Sequence, residues 1–396
     1  MLPISKMAAA VQPSATLAAG AKAKQLKMEG KTVYDFSLGE PDFNTPRHIC
    51  DAAYKAMLDG HTHYTAASGM PELRGAIARW YKRVYGYEFT PEQVVVSNGA
   101  KHSLHNALAA SVGPGDEVII PTPYWVSYSD LVQMTGACYK LVPTTAESGF
   151  KMTPAQFKAA ITPRSKLVMI NSPSNPTGSV YTRAELAALA EVALAHNVGV
   201  ISDEIYEQLV YGNAKATCFA TLLPKLAENT ITISGVSKSY AMTGWRIGWS
   251  ISPLHVAKAM GNVQSQETSS PSSVSQHAAI AGLDGDQGCV QQMLKEFEAR
   301  RDLVCSRLNA MPGIKCPIPD GAFYAFFNVE AHFGTTRMGK QITDSTSFCA
   351  AALETVHVNL VQGSAFGAEG WVRLSFATSR DQINKGMDKL AEFLKG

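Results

Sequence analysis

TITISGVSKSYAMTGWRIGW, residues 230–249, is the stretch on which the reading of this chain turns. TITIS alternates β-branched and hydroxyl side chains, the pattern of a buried strand, and the small residues after it end the run. Just beyond stands Lys238, with Arg246 eight positions on and no acidic residue between them. A lysine at a strand tip is ordinarily only solvated. Two cations held in one cleft repel each other unless a polyanion lies between them, or unless one is neutral because it is engaged as an imine. A phosphorylated aldehyde satisfies both conditions.

The same succession of strand, polar tip and helix recurs along the chain. QVVVSNGAKHSLHNALAASV runs from a strand into a helix after Gly99, and DEVIIPTPYW is an apolar run closed by turn residues. KLVMINSPSNPTG and VGVISDEIYEQLVY repeat the theme, and RAELAALAEVALAHN (183–197) has helical spacing. This alternation predicts an α/β fold, a mostly parallel sheet with helices on both faces. Ligands of such sheets sit beyond the carboxyl ends of the strands, so the chemistry is expected at the polar tips. Past residue 285 a long charged helix pattern, VQQMLKEFEARRDLVCSRLNAM, leads into GIKCPIPDGAFYAFFNV and WVRLSFATS, the texture of a smaller α+β unit. The expected division is a large domain over 45–285 and a small one made of 1–44 with 286–396. SQETSSPSSVSQ (265–276) is too short, and too closely flanked by apolar pattern, to be a linker.

Composition narrows the class of partner. The chain has 396 residues, 46% of them hydrophobic, enough for a large core. Thirty-five Lys and Arg against 33 Asp and Glu leave a formal charge of +2, with no basic block to suit nucleic acid. Small-molecule ligands are therefore expected. The seven cysteines are scattered and never form a C-x-x-C pair, which reads as reduced thiols in a cytoplasmic protein. The acid-free start up to Glu29 superficially resembles a transit peptide, but its apolar runs are too short for a secretory core or a membrane span, and it is read as part of the mature protein. His102 and His105, and His61 with His63, lack a third ligand at metal-binding spacing, so no metal is expected.

The tips make sense as one site. Gly99, Ala100 and Lys101 open a helix after VVVS, offering backbone N–H groups and the positive helix end to a phosphate; alone, Gly99 is equally well a turn glycine. Ser234 and Ser237 offer hydroxyl donors. Asp203 follows an apolar run, and a buried acid needs a partner. A protonated pyridine nitrogen would keep it ionised, and Asp203 in turn would keep that ring an electron sink. Asn175 and Tyr206 can donate to a ring oxygen, or simply brace a turn and fill the core. Trp125 can stack on a ring or pack inside. No strand is followed by G-x-G-x-x-G, and no G-x-x-x-x-G-K-[ST] occurs, so nucleotide motifs do not compete for the anion.

These residues belong to motifs that run the length of the chain: PSAT at 13, GEPDFNTP at 39, YTAASGMPELR at 64, NGAKHSL at 98, PYWVSY at 123, NSPSNPTG at 171, SDEIYEQLVY at 202, SKSYAMTGWRIGW at 237, GAFY at 321 and VRLSFATS at 372. On them the chain resembles the pyridoxal-5′-phosphate-dependent aminotransferases of fold type I, class I/II, specifically the bacterial aspartate aminotransferase subgroup Ib. The resemblance implies a large domain with a mostly parallel seven-stranded sheet and a smaller α+β domain. It also implies that Lys238 carries pyridoxal 5′-phosphate covalently and serves as the catalytic base, that Asp203 faces the pyridine nitrogen, and that Asn175 and Tyr206 bind the ring oxygen. Arg246, Gly99, Ala100, Lys101, Ser234 and Ser237 would hold the phosphate, Trp125 would cover the ring, and Tyr64 would reach the phosphate of a neighbouring subunit in a homodimer. Arg373 would grip the substrate α-carboxylate with help from Asn175 and Gly39.

For the substrate, the resemblance implies that Lys101 meets a distal carboxylate, with Thr16 and Ser14 closing over it and Trp125 alongside. Acidic amino acids and 2-oxo acids then fit a ping-pong transamination, with prephenate, which some relatives accept, as a further candidate acceptor. Two residues depart from the family pattern: Gln12, where a basic residue commonly precedes the proline, and Glu267, an added acid expected near the site and against dicarboxylate binding. Aromatic or broad specificity, a lyase outcome on the same cofactor, and a non-catalytic sensor remain as alternatives. The absence of a helix-turn-helix pattern before GEPDF argues against the last.

Overall fold

The structure is a computed structural model that describes residues 2–11 and 13–396. Seven strands build the main sheet: β1 (Val94–Ser97), β2 (Glu117–Thr122), β3 (Cys138–Pro143), β4 (Ser165–Asn171), β5 (Gly199–Asp203), β6 (Thr230–Gly235) and β7 (Gly248–Ile251). Their order is β1-β7-β6-β5-β4-β2-β3. Strands β2 to β6 pair in parallel, and β7 runs antiparallel to both β6 and β1. The mostly parallel sheet expected from the alternation is observed, with the seven strands that the resemblance implies.

The alternating faces of the strands explain the layers. Val118 and Ile120, Leu167 and Met169, and Ile231 and Ile233 turn to one face, where they meet the helices Ala100–Ser111, Ser127–Met134 and Leu254–Glu267. Ile119, Val168, Ile170 and Val200 turn to the other, against Pro154–Ala160 and Arg183–Ala195. Burial on both faces is what makes these strands near-continuous apolar runs in sequence. Strand β3 is different: it is the sheet edge, only Leu141's neighbour Val142 is buried in it, and CYKLVP has no apolar run to betray it. The helix Arg183–Ala195 begins where Thr182 accepts a hydrogen bond from the Glu185 N–H while Glu185 accepts from the Thr182 N–H, a reciprocal cap.

A second core gathers the C-terminal third. The helices Gly288–Asn309, Ser345–Val356 and Arg380–Lys395 pack with a three-stranded antiparallel sheet of β8 (Tyr324–Asn328), β9 (Val361–Gln362) and β10 (Trp371–Ser375), ordered β9-β10-β8. The N-terminal segment joins it. Ala23, in the helix Ala15–Met28, packs with Val33 and Leu353, and Tyr34–Asp35 pairs in parallel with Val358–Asn359. SQETSSPSSVSQ is divided between the end of the helix Leu254–Glu267 and the start of the helix Ser273–Asp284.

Register sets the site. Asn171 of β4 lies opposite Asp203 of β5, and Asp203 opposite Ile233 of β6, so β4 and β5 end level and β6 runs on past them to Gly235. Beneath that edge the turn after β5 carries Glu204 and Glu207, 2% and 4% exposed. Glu204 accepts from the Ser202 hydroxyl at 2.8 Å and the Phe219 N–H at 2.9 Å, and Glu207 accepts from the Ser234 hydroxyl at 2.9 Å. Among the described residues no cation pairs with them, and burial pushes Glu204 up to about 7 and Glu207 well above the usual carboxylate range.

An acid whose pKa is higher in the fold than in the unfolded chain keeps its proton on folding, so its contribution to stability falls as pH rises from the unfolded to the folded value. For Glu204 that window runs from 4.5 to about 7. Glu204→Gln, which can still accept both hydrogen bonds, is expected to remove a loss of stability approaching about 1.4 kcal/mol per pH unit across it. Denaturant titrations of parent and variant at several pH values across the window measure this; a parent-to-variant difference that does not change with pH would mean that Glu204 is ionised in the fold.

Candidate active site

The chain leaves each of these strand ends into a polar turn, and the turns enclose a cavity of about 400 Å³. Its walls include Ala100, Lys101, Trp125, Asn175, Asp203, Tyr206, Ser237, Lys238, Arg246 and Arg373, together with Gly39, Ser14 and Thr16 from the N-terminal segment. Residues far apart in sequence are thus brought together largely as the sequence reading expects.

The helix Ala100–Ser111 points its N-terminus into this cavity, and its first N–H groups have no partner within the helix. Gly99 precedes it with φ +88°, and a Cβ there would lie 2.2 Å from Arg246 Nη2. Only a glycine allows the guanidinium to lie against the helix start. Gly248 of β7 plays the matching part below: a Cβ on it would come within 2.2 Å of the Ala100 nitrogen. Arg246 Nη1 donates to the Thr243 carbonyl at 2.8 Å, which turns the side chain toward the same place. Backbone donors, a helix N-terminus and a guanidinium converging on one point form a seat for a phosphate.

Asp203 stands at the floor. It accepts from the Tyr128 hydroxyl at 2.6 Å and the Ile205 N–H at 3.2 Å, yet burial still raises it to about 6, because those donors and the charge of Lys238 only partly offset the loss of water. Tyr206 shares a 2.8 Å hydrogen bond with Tyr324. Burial first, and then Tyr324, raise the Tyr206 pKa well above that of a free phenol. Lys238 Nζ donates to the Gly39 carbonyl at 2.6 Å. Burial lowers its pKa to about 8, with Glu40 opposing and Arg246 and Arg373 assisting. The lysine is therefore far more readily a neutral amine than an exposed one, and becomes largely neutral in mildly basic solution.

Arg373 is 1% exposed in the middle of β10. Its Nη1 donates to Asn175 Oδ1 at 2.9 Å and its Nη2 to the Ser37 carbonyl at 2.7 Å, and it lies over the rings of Tyr324 and Phe366. Among the described residues no carboxylate pairs with it. A buried guanidinium without a counter-ion is costly, and here it faces a cavity. Lys101 Nζ lies 4.8 Å above the Trp125 ring, and the Ser14 and Thr16 hydroxyls are 2.9 Å apart.

Some expected residues fall elsewhere. Ser234 does not face the cavity: it lies within β6, its hydroxyl is buried and bonded to Glu207, and strand alternation sends it below the sheet while Ser237, past the strand, remains at the rim. Glu267 is not among the cavity residues either. It closes the helix Leu254–Glu267 and its two oxygens bond His102 at 3.3 Å and His105 at 2.8 Å, so those histidines, rather than a ligand carboxylate, receive its charge. Tyr64 is 92% exposed and outside its own chain's cavity. Gln12 lies outside the described residues. No group of three or more metal-ligating side chains occurs among the described residues.

Tyr128, Tyr324 and Asn171 are additions. Asn171 Nδ2 donates to the Asp203 carbonyl at 2.9 Å and its Oδ1 accepts from the Asn175 N–H at 2.8 Å, which fixes the turn that presents Asn175. All three sit within PYWVSY, GAFY and NSPSNPTG. What sequence leaves open is the direction of each side chain.

Comparisons agree with this geometry. A family model described as aminotransferase class I and II matches residues 31–390. The chain is 48% identical to the aspartate aminotransferase of Geobacillus stearothermophilus over 392 residues, 99% of both chains. It is 46% identical to the aspartate/prephenate aminotransferase of Cereibacter sphaeroides over 395 residues, again 99% of both. The crystal structure of the aspartate aminotransferase from Rhizobium meliloti matches with a TM-score of 0.97 and 43% identity, covering 100% of this chain and 99% of that one. The aspartate aminotransferase of Thermus thermophilus with maleate matches with a TM-score of 0.94 and 39% identity over 100% of both chains. With a site of this composition and relatives matched from end to end, the chain belongs to the aminotransferase class I and II family.

Proposed function

We propose that this protein is a pyridoxal 5′-phosphate-dependent aspartate aminotransferase that passes the amino group of aspartate or glutamate to a 2-oxo acid, alternating between two half-reactions. The observation that carries the reading is the charge of the cavity. Lys101, Lys238, Arg246 and Arg373 line it against Asp203 and Glu40 alone, so it calls for a ligand bearing several negative charges. The residues fit the cofactor. The Gly99 cradle beside Arg246 suits its phosphate, and Asp203, raised by burial, would be returned to its ionised form by a pyridinium N–H.

When bound, pyridoxal phosphate supplies an electron sink for the charge left at the substrate α-carbon and a carrier for the amino group between half-reactions. The chain's own residues do the rest. Arg373 binds the α-carboxylate bidentately and Asn175 holds the guanidinium in place. Lys238, with its lowered pKa, takes the proton from the α-carbon as a neutral amine and can return it. Trp125 covers the site, and Tyr206, paired with Tyr324, offers a hydroxyl to the ring oxygen. Lys101, with Thr16 and Ser14, is positioned for a distal carboxylate, which favours aspartate, glutamate and 2-oxoglutarate over neutral substrates. The names of the relatives support aspartate, and one of them adds prephenate as a candidate acceptor.

The fully exposed Tyr64 ring supports a homodimer in which each subunit completes the other's phosphate site. No helix among the described residues is long and apolar enough to cross a membrane, and all seven cysteines are free, in keeping with a cytoplasmic protein. The division into 45–285 and 1–44 with 286–396 provides two bodies, and closure of the smaller one with the PSAT segment over bound substrate would exclude water.

The decisive experiment is an absorbance scan of the cofactor-loaded protein. Aspartate is expected to bleach the yellow band and 2-oxoglutarate to restore it, with ping-pong kinetics; ammonia release would instead mark a lyase, and bleaching by aromatic donors alone would mark a different specificity. In Lys238→Ala, turnover is expected to fall by about 10⁴-fold or more, since the general base and the covalent attachment vanish together. Steady-state rates check this, and turnover comparable to the parent would remove Lys238 from the chemistry.

Arg373→Lys keeps the charge but loses the planar fork. It is expected to raise KM for both the amino acid and the 2-oxo acid by about 10- to 100-fold. An effect on only one of the two substrates would place the shared carboxylate elsewhere.

A further inference from the structure

The segment 37–43 runs along the cavity as a strap, tied to the site by its first residues and to the helix Gly288–Asn309 by its last. The Ser37 carbonyl accepts from Arg373, the Gly39 carbonyl accepts from Lys238, Asp42 accepts from Arg300 Nη1 at 2.6 Å, and Phe43 packs edge-on against Phe297 at 5.3 Å. Glu40 is the member that the reaction outlined above does not use. Its carboxylate lines the cavity and accepts from the Thr243 hydroxyl at 2.8 Å. Thr243 in turn offers its carbonyl to Arg246. An acid in a cavity built for anions would weaken ligand binding if it had no other task.

We propose that Glu40 is a positioning residue: through Thr243 it joins the strap to the loop carrying Arg246, and its carboxylate is a counter-charge to the guanidinium groups that share the cavity with Lys238. This rests on the reading of Lys238 as the cofactor's attachment point. The charged and titratable groups that act on Lys238 within the shared cavity are Glu40 on the strap, Asp203 at the end of β5, Arg246 beyond β6 and Arg373 on β10, with the Tyr206 ring at 5.8 Å. Two guanidiniums oppose its protonation, and Glu40 and Asp203 favour it. Asp203 is the partner expected for the cofactor ring, which leaves Glu40 as the acid free to act on the lysine nitrogen in both half-reactions. Glu40 lies at the solvent-exposed rim, so its influence is that of a screened charge.

The test is the pH midpoint of the absorbance change of the cofactor-loaded protein, read without any turnover. Glu40→Gln can still accept from Thr243 but carries no charge. It is expected to lower the midpoint by about half a unit at low salt, with the difference from the parent shrinking at about 1 M salt. Glu40→Asp, which restores the charge on a shorter stem, is expected to return the midpoint toward the parent's. Thr243→Val, which keeps the acid and removes the donor, is expected to speed cofactor release, measured by dilution, more than it moves the midpoint. A midpoint unchanged in Glu40→Gln overturns the proposal while leaving the cofactor reading intact. A parent protein with no titrating band at all would instead overturn the cofactor reading.

Discussion

A guanidinium buried in the middle of a strand with no carboxylate to face it is the constraint around which this molecule is arranged. Arg373 can be tolerated there because Asn175 and the Ser37 carbonyl each accept from one of its terminal nitrogens and two aromatic rings face its charge, although its Nε has no partner among the described residues. Each of those partners comes from a different part of the chain. Asn175 is offered by the turn after β4, Ser37 by the strap from the N-terminal segment, and Tyr324 by β8 beside it. The packing of the C-terminal core against the main sheet is therefore also the assembly of the cavity wall that carries Arg373.

The opposite problem is solved beneath the strand ends. Asp203, Glu204 and Glu207 occupy one buried turn, and the two glutamates are kept tolerable by neutralisation and by single hydrogen bonds from serines and a backbone N–H. Asp203 is treated differently. Tyr128 and the Ile205 N–H favour its charged form, so it is the acid of the three best prepared to meet a cation in the cavity. One turn of sequence thus holds acids of unlike character, separated by which side of the sheet each side chain enters.

Close backbone approach is the third element. Gly99 and Gly248 remove the two side-chain carbons that would otherwise keep Arg246, the helix start and β7 apart. The proposed phosphate seat is a place where main chain and guanidinium share a point, and it follows from omission of atoms as much as from placement of charges.

The sequence by itself determined the α/β succession, the parallel sheet and the gathering of Lys238, Asp203, Asn175 and Arg246 at its carboxyl edge, because periodicity and turn residues are local and a parallel sheet sends every strand tip the same way. It did not reveal β3, whose edge position dispenses with an apolar run, or β7, where GWSI lacks the continuous β-branched run that marks VVVS of equal length in β1. Nor did it determine which way side chains face. Ser234 turns below the sheet to Glu207, Glu267 turns outward to two histidines, and Tyr128 reaches Asp203 across 75 positions of sequence. Those outcomes, and the shifted ionisation of Lys238 and Asp203, were decided only by the tertiary structure, because facing and burial depend on which distant elements pack against a residue and how much water they remove from it.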